Sequence, residues 1–400
     1  MLDSTLIIIA TLFSALLVLY HHLGYPLIMR AVLRRHTKPN IAISARRYDA
    51  RVDDQQLPTI AIVIAAYNEQ QWIAEKIRNL SILDYPAERL NIIIACDGCM
   101  DATPQIARQT IREPECQNLN IEVLELTPNR GKVAVLNQVI QQIDSELIAL
   151  SDVSALISVD ALLIAAKHFN NPQIGVLNSH YQLLSPGSVG EATYWNYQSK
   201  LKAGEAAMGA TLGAHGAFYL FRRRLFQPLQ ADTINDDFIL PMQIVAQGYH
   251  AEYEPLIAAL ELEQADANMD QQRRRRIAAG NVQQLLRLKR LLLPQYGGVA
   301  FTFASGKGLR VLMPFLMLIC LFGSLLLAME YLLFAIMAGG QLLAYSLAAW
   351  QLCFPDNHRH RYLRTLSYLV SGHIAGLIGT LRYLFGLDKG RWKRVTPDTQ

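Results

Sequence analysis

Cysteine is scarce in this chain, with five in 400 residues, at positions 96, 99, 116, 320 and 353. So few, and an odd number, exclude a disulfide framework as the source of stability. Cys96 and Cys99 form a C-x-x-C, but no second pair and no zinc-ligand partners accompany them. A redox pair is therefore the minor alternative to reduced thiols in a cytosolic compartment. Net charge is scarce as well. Thirty-seven Lys and Arg against 33 Asp and Glu leave +4, too little to argue for a nucleic-acid partner. From some stretches charge is almost missing. No cation precedes the first apolar run, where the only charge is Asp3, so the amino terminus does not read as a secretory signal peptide. The run from Leu309 to Trp350 carries, past Arg310, a single charge, Glu330.

What is present instead is apolar surplus at the two ends. Apolar residues make up 52% of the chain, while residues 45–290 look like an ordinary α/β domain. Thr5 to Met29 is long enough to cross a bilayer, which takes roughly 20 apolar residues. Leu309 to Trp350 is long enough for two spans with a turn near Glu330-Tyr331. Arg364 to Leu387 is a weaker third candidate, interrupted by His373 and Arg382. Between them, the leucines and cations of Val282 to Arg290 suggest a helix lying in the membrane interface. Arg30, Arg34, Arg35, Lys38, Arg46, Arg47 and Arg51 follow the first span. By the positive-inside rule they place the next domain in the cytosol. Three later spans would put Lys389, Arg391, Lys393 and Arg394 outside, so the last segment is read as interfacial. The expected division is a transmembrane helix over 1–29, a basic linker over 30–57, a catalytic-type domain over 58–280, an interfacial segment over 281–308, a transmembrane region of two to three spans over 309–388 and a basic tail over 389–400.

In the middle, short β-branched runs alternate with helical spacing. Thr59–Ala65, Leu90–Ala95, Ile121–Leu126 and Leu147–Leu150 read as buried strands; Trp72–Leu83, Thr103–Ile111 and Val133–Ile143 read as helices. This alternation predicts a parallel sheet with ligands at the carboxyl edge of its strands. Three polar clusters fall at such edges: Asn68-Glu69, Asp97 with Asp101, and Asp152. Farther on, Ile174–Ser179 and Tyr249–Ile257 read as strands. Gly213-Ala214-His215-Gly216-Ala217-Phe218-Tyr219 is glycine-rich enough for a backbone to approach a ligand closely. Asn235-Asp236-Asp237-Phe238 opens an amphipathic helix.

The organising stretch runs from Asn129 to Ala155. A turn with Gly131 puts Lys132 at a helix start, where the helix dipole disfavours a cation unless something anionic is near. The following strand ends on Asp152. A cation after a flexible turn and a carboxylate at a strand end are what a nucleotide-sugar site needs, one neutralising phosphate and the other holding a divalent metal against the diphosphate. Each residue also has a plainer reading. Asp97 is placed where a turn residue or helix cap stands. Asp236 and Asp237 cannot be told apart by pattern as acid and N-cap. Arg273 to Arg276 could be a solvated face or an anionic-lipid contact.

Taken in order, Tyr67-Asn68-Glu69, Asp97-Gly98-x-x-Asp101-x-Thr103, Asn129-Arg130-Gly131-Lys132, Ser151-Asp152-x-Ser154, Gly213-x-x-Gly216-Ala217, Asp236-Asp237 and the arginines 273–276 resemble the family 2 glycosyltransferases. The membrane-integrated bacterial synthases of poly-N-acetylglucosamine, hyaluronan and cellulose are the type meant. The resemblance covers about residues 58–310. It implies a GT-A fold (α/β, Rossmann-like, mostly parallel sheet) flanked by transmembrane helices, an inverting mechanism, a UDP-sugar donor, and Mg²⁺ or Mn²⁺. It places Tyr67, Asn68, Glu69, Asp97, Lys132 and Asp152 at the nucleotide sugar, and Asp152 with Ser154 at the metal. Asp237, with Asp236 beside it, stands for the general base, and Arg276 assists the leaving group. Gly213, His215, Gly216 and Arg273 line the acceptor path.

Two departures from the family pattern stand out. Its D-x-D reads Asp152-Val153-Ser154, so a hydroxyl replaces the second carboxylate. Its glutamine-arginine-x-arginine-tryptophan reads Arg273-Arg274-Arg275-Arg276-Ile277, without the aromatic that helps hold an acceptor in processive synthases. The expected enzyme sits in a bacterial inner membrane, multi-pass, with its catalytic domain in the cytosol among membrane lipids. It moves a hexose or N-acetylhexosamine to a growing polysaccharide or a lipid-linked acceptor. One alternative is transfer of a single sugar to a polyprenyl or other lipid. Another, of a different class, is a catalytically silent nucleotide-sugar-binding subunit with a membrane partner subunit.

Overall fold

The computed structural model describes residues 4–36, 46–185, 189–263, 267–354 and 361–387. The basic tail expected over 389–400 and Lys38 of the linker lie outside them. The chain forms two compact units.

One unit begins with α1 (Ser4–Leu19), which runs through a π-helical turn at Tyr20–Gly24 into α2 (Tyr25–Arg35). Two of its polar side chains bond one helical turn back. The Thr11 hydroxyl donates to the Ile7 carbonyl at 2.7 Å, and His22 Nδ1 donates to the Val18 carbonyl at 2.9 Å.

The other unit carries the sheet. Its strands are β1 (Ile60–Ala66), β2 (Leu90–Asp97), β3 (Asn120–Leu126), β4 (Leu147–Ser151), β5 (Ala155–Ile157), β6 (Ile174–Leu183), β7 (Phe218–Arg222) and β8 (His250–Glu261), in the order β3-β2-β1-β4-β7-β6-β8-β5. β1 pairs in parallel with β2 and β4, as does β2 with β3. The parallel expectation holds there and again where β6 pairs in parallel with β8, so the sheet is mostly parallel but mixed. β7 enters antiparallel between β4 and β6, and β5 is antiparallel to β8. The helices are α3 (Ile73–Ser81), α4 (Thr103–Ile111), α5 (Lys132–Gln142), α6 (Ala161–Phe169), α8 (Asp236–Val245) and, from Gln198 on, α7 (Val189–Ala206), whose start belongs to the first unit. Residues 213–219, expected as one flexible stretch, divide at Ala217. Phe218 to Phe221 are at most 1% exposed, a continuous apolar run of a strand buried on both faces, which lacks the alternation that would reveal it. Such burial, with Ile60, Ile62, Ile64, Ile92 and Ile94 at 0%, makes the sheet a rigid frame.

The first unit resumes with α9 (Ala267–Arg287), α10 (Gly298–Thr302), α11 (Leu309–Leu327), α12 (Leu332–Cys353) and α13 (Arg361–Leu384). The segment 281–308, expected to be interfacial, is built of several short pieces. Its start belongs to α9, 3₁₀ turns follow at Lys289–Leu292 and Pro294–Tyr296, and a second π-helical turn at Phe303–Gly308 joins α10 to α11. Among the described residues, three helices are long and apolar enough to cross a membrane: Ser4–Arg35, Gly298–Leu327 and Leu332–Cys353. The two π-helical turns meet, Tyr20 Oη lying 2.8 Å from Ser305 Oγ. α1 and α11 approach so closely that a Cβ on Gly323 would lie 1.9 Å from Thr11 Oγ1, the small-residue contact by which apolar helices pack.

Candidate active site

Because β1, β2 and β4 are parallel neighbours, their carboxyl ends share one edge. β7 runs the other way, so the Gly213–Ala217 loop before it arrives at the same edge. Ala214 N–H donates to the Asp237 carbonyl at 2.8 Å, which fixes the start of α8 there too. The topology thus gathers Asn68-Glu69, Asp97, Asp152, Gly213–Ala217 and Asp236-Asp237.

Lys132 is the centre of this group. Its Nζ donates to Asp152 Oδ1 at 2.9 Å and lies 3.7 Å from Asp236 Oδ2. Burial works against its charge, but Asp152, Asp236 and Asp237 outweigh it and hold the ammonium well above the usual lysine range. The helix dipole that disfavours Lys132 at the start of α5 favours Asp236 and Asp237 in the first turn of α8. The Asp152 side chain is 39% exposed, against 14% for Asp236; Asp236 Oδ2 is buried without a hydrogen bond. Ser154, on the same turn, is only 9% exposed, and its carbonyl accepts from Leu262 N–H at 2.9 Å.

Gly216 backs this centre. A Cβ there would lie 2.9 Å from Asp152 Oδ2, closer than real Cβ contacts allow. Gly216→Ala is expected to push the carboxylate aside and raise the donor KM about tenfold, the cost of a slightly misplaced site group, with the fold intact by circular dichroism.

Tyr219, 1% exposed on β7, was not signalled by the sequence. Burial, with Asp236, Asp237 and Asp152 near, pushes its phenol well above the ordinary range, so it stays neutral. Among the described residues its hydroxyl has no hydrogen-bond partner. An unpaired buried hydroxyl costs on the order of 1 kcal/mol or more, so Tyr219→Phe is expected to keep or raise the thermal midpoint, read by scanning fluorimetry.

Asp97 braces a loop rather than presenting an open carboxylate. It is 3% exposed. Its oxygens accept from Arg130 N–H at 3.0 and 3.1 Å and from Gly131 N–H at 2.7 Å, while its carbonyl accepts from Asn129 Nδ2 at 2.8 Å. The brace holds the turn that delivers Lys132. Gly98, at φ +65, lies so close that a Cβ would stand 2.5 Å from Asn129 N, and only glycine fits. Asn68, at φ +55, accepts from Met100 N–H at 2.9 Å, and Glu69 N–H donates to Thr103 Oγ1 at 2.7 Å. Tyr67 is half-buried beside them. All five cysteines are free thiols. Hydrogen bonding from Cys96 draws Cys99 down to about 7.

His215 stacks on Tyr181 with ring centroids 3.6 Å apart, and its Nδ1 accepts from Ala217 N–H at 3.3 Å. Lys202 Nζ donates to the Gly213 carbonyl at 3.0 Å. Arg273 and Arg276 lie on α9 in the other unit, where Arg276 is exposed. Their neighbour Arg274 donates to the Tyr368 carbonyl and Ser371 Oγ, both at 3.3 Å, and lies 3.7 Å over the Tyr368 ring.

A further residue that sequence reasoning missed is Lys76. Ile73, Lys76, Ile77 and Leu80 share the buried face of α3, all at 0% exposure. A lysine in that i, i+3, i+4, i+7 series was the available signal. Burial pushes its pKa down to about 7, with Asp152 and Glu261 opposing.

Comparison with known proteins agrees with this frame. The family model Glycosyltransferase like family 2 matches residues 58–280. Poly-beta-1,6-N-acetyl-D-glucosamine synthase of Staphylococcus aureus is 27% identical over 219 residues, covering 53% of this chain and 51% of that protein. The synthase of Staphylococcus epidermidis is 26% identical over 211 residues, 51% and 50%. The chain spans about half the length of the curated relatives it matches. A mannosyltransferase from Pyrobaculum calidifontis, solved in complex with GDP-Man and Mn²⁺, superposes with TM-score 0.71 over 94% of this chain and 99% of that one. At 22% identity the likeness is one of fold, the expected GT-A arrangement. With the edge motifs in order and the family model spanning more than half of its length, the chain belongs to family 2 of the glycosyltransferases.

Proposed function

We propose that this protein is a membrane-bound, inverting transferase that moves a hexose or N-acetylhexosamine from a UDP-sugar to a growing glycan or a lipid-linked acceptor. The observation that carries the reading is Lys132 bridging Asp152 and Asp236 at the edge where Asp237 also stands. Inversion needs one in-line displacement, hence one base and a stabilised leaving group, without a protein nucleophile. Asp237 takes the proton of the acceptor hydroxyl. Lys132 compensates charge on the departing diphosphate. Tyr67, Asn68 and Glu69 flank the nucleoside, while Asp97 shapes the 129–131 turn beneath it. Gly213, Gly216 and His215 line the acceptor side.

Among the described residues no three His, Cys, Asp or Glu gather as a metal cage. One exposed carboxylate at a diphosphate site still fits Mg²⁺ or Mn²⁺, which bind through one or two carboxylates plus substrate phosphates. Asp152 is the ligand offered, with Ser154 the other oxygen on its turn. Such an ion neutralises charge on the leaving diphosphate.

The three apolar helices suit a multi-pass protein of a bacterial cytoplasmic membrane. With α13 at the interface, the three spans fit the positive-inside reading of the cations that follow the first of them. Ile277 in place of the family's tryptophan favours single transfer to a lipid over processive synthesis.

UDP release by the detergent-purified protein tests the proposal, using a panel of UDP-sugars, Mn²⁺ or Mg²⁺ and a bacterial lipid extract. Release with one donor names the sugar. Binding of UDP without turnover, across donors and acceptors, would replace the transferase by a binding subunit.

A further inference from the structure

Lys76 is a cation in a core position. Its Nζ donates to Ser151 Oγ at 2.6 Å and to the Ala155 carbonyl, and among the described residues no carboxylate lies within ion-pairing distance of it. These two acceptors are the ends of one short turn. Ser151 closes β4, Ala155 opens β5, and between them stand Asp152 and Ser154. The Ser151 hydroxyl passes the connection on, donating to the Ala217 carbonyl at 2.7 Å. That carbonyl also receives Asp152 N–H at 3.3 Å. Ala217 in turn follows Gly216, whose Cα faces Asp152 Oδ2. One ammonium therefore ties α3, the Asp152 turn and the loop ahead of β7 into one hydrogen-bonded set.

A second side chain of α3 works on the same edge. Asn79 Nδ2 donates to the Ile157 carbonyl at 2.9 Å and its Oδ1 accepts from Ile157 N–H at 2.7 Å. β5 is the last strand of the sheet, so Asn79 alone suffices to cap its open edge. Lys76 reaches farther back, across the turn itself. A buried ammonium is costly unless its bonds are needed, and a methionine of similar length would fill the space without that cost.

We propose that Lys76 is a positioning residue for the donor site, clamping Ser151 and Ala155 from inside the domain so that the Asp152 carboxylate is held toward the diphosphate and its metal without Lys76 touching either. The inference rests on the reading of Asp152 as the metal-binding aspartate. The clamp also suits the departure at Ser154. With a hydroxyl in place of the second carboxylate, the turn has one anionic ligand, whose placement must come from the protein side.

The test uses the full chain in detergent and the variants Lys76→Met, Lys76→Gln and Ser151→Ala. Mn²⁺ binding at saturating UDP is read from the free-ion electron paramagnetic resonance signal, and UDP binding in EDTA by calorimetry. Lys76→Met is expected to weaken Mn²⁺ binding about tenfold or more, as loss of an outer-shell partner does, with UDP affinity in EDTA within about twofold of wild type. Lys76→Gln, which restores one donor, is expected to recover part of the loss. A generally loosened domain would lower both affinities together. Folded Lys76→Met with unchanged Mn²⁺ affinity overturns the inference. Should Lys76→Met not fold, Ser151→Ala decides, with weakened Mn²⁺ binding expected and unchanged binding overturning it. Wild-type protein that takes up no Mn²⁺ with UDP overturns the reading of Asp152 itself, and the clamp with it.

Discussion

Asp237→Asn is expected to lower kcat by about 10²–10⁴-fold, the usual share of a general base, while UDP affinity stays within about twofold of wild type. The two adjacent carboxylates separate by environment. Asp236 lies 3.7 Å from Lys132, with a side chain only 14% exposed, which gives it to the donor-side charge cluster. Asp237 has its carbonyl fixed by Ala214 N–H of the loop before β7, which carries His215 and Gly216 toward the acceptor side. Asp236→Asn should accordingly raise the donor KM more than it lowers kcat. Steady-state kinetics of both variants check the assignment, and a larger kcat loss in Asp236→Asn would reverse it.

Lys132→Met is expected to raise the donor KM about 100-fold, the loss of one charge-assisted contact to phosphate. Its effect on metal alone runs the other way. In the free protein Lys132 occupies Asp152 Oδ1 at 2.9 Å, where a divalent ion must compete with it. Removing that competitor should tighten Mn²⁺ binding without nucleotide while weakening binding of the sugar nucleotide, and calorimetry of each separates the two. Lys132 has its folded pKa raised. Its contribution to stability is therefore full below the unfolded lysine value of about 10.4 and is lost only as pH rises through the higher folded value. An activity profile between about pH 6 and 9 should show no limb from this residue.

The edge residues were legible because parallel strands that end in polar side chains leave few other places for them. Asn68, Asp97 and Asp152 reach one edge as the alternation of strands and helices predicts, while the Asp236-Asp237 pair, which that alternation did not place, is held there through Ala214 N–H on the Asp237 carbonyl. What side chains do once there was not legible. Asp97 reads the same in sequence whether it meets a ligand or backbone amides, and three amide contacts close to 3 Å turn it inward. β7 was hidden because a strand buried on both faces has no alternation to detect. Lys76 was hidden because its burial depends on tertiary partners, Ser151 and Ala155, far along the chain. The family tryptophan's absence at Ile277 was plain from the start, and Ile277 is indeed 37% exposed.

The meeting of the two π-helical turns carries a consequence for biogenesis. Tyr20 and Ser305 touch across 285 residues of sequence. At about 5–20 residues per second of synthesis, the amino-terminal helix is finished roughly 15–60 s before its partner leaves the ribosome. On the membrane-bound reading proposed above, it sits in lipid alone throughout that interval, where an unsatisfied polar group is costly. Its Thr11 and His22 side chains already bond to carbonyls four residues back, at Ile7 and Val18. Thr11 and His22 therefore have a partner from the start, whereas Tyr20 and His21 gain theirs at Ser305 only once the later turn is made.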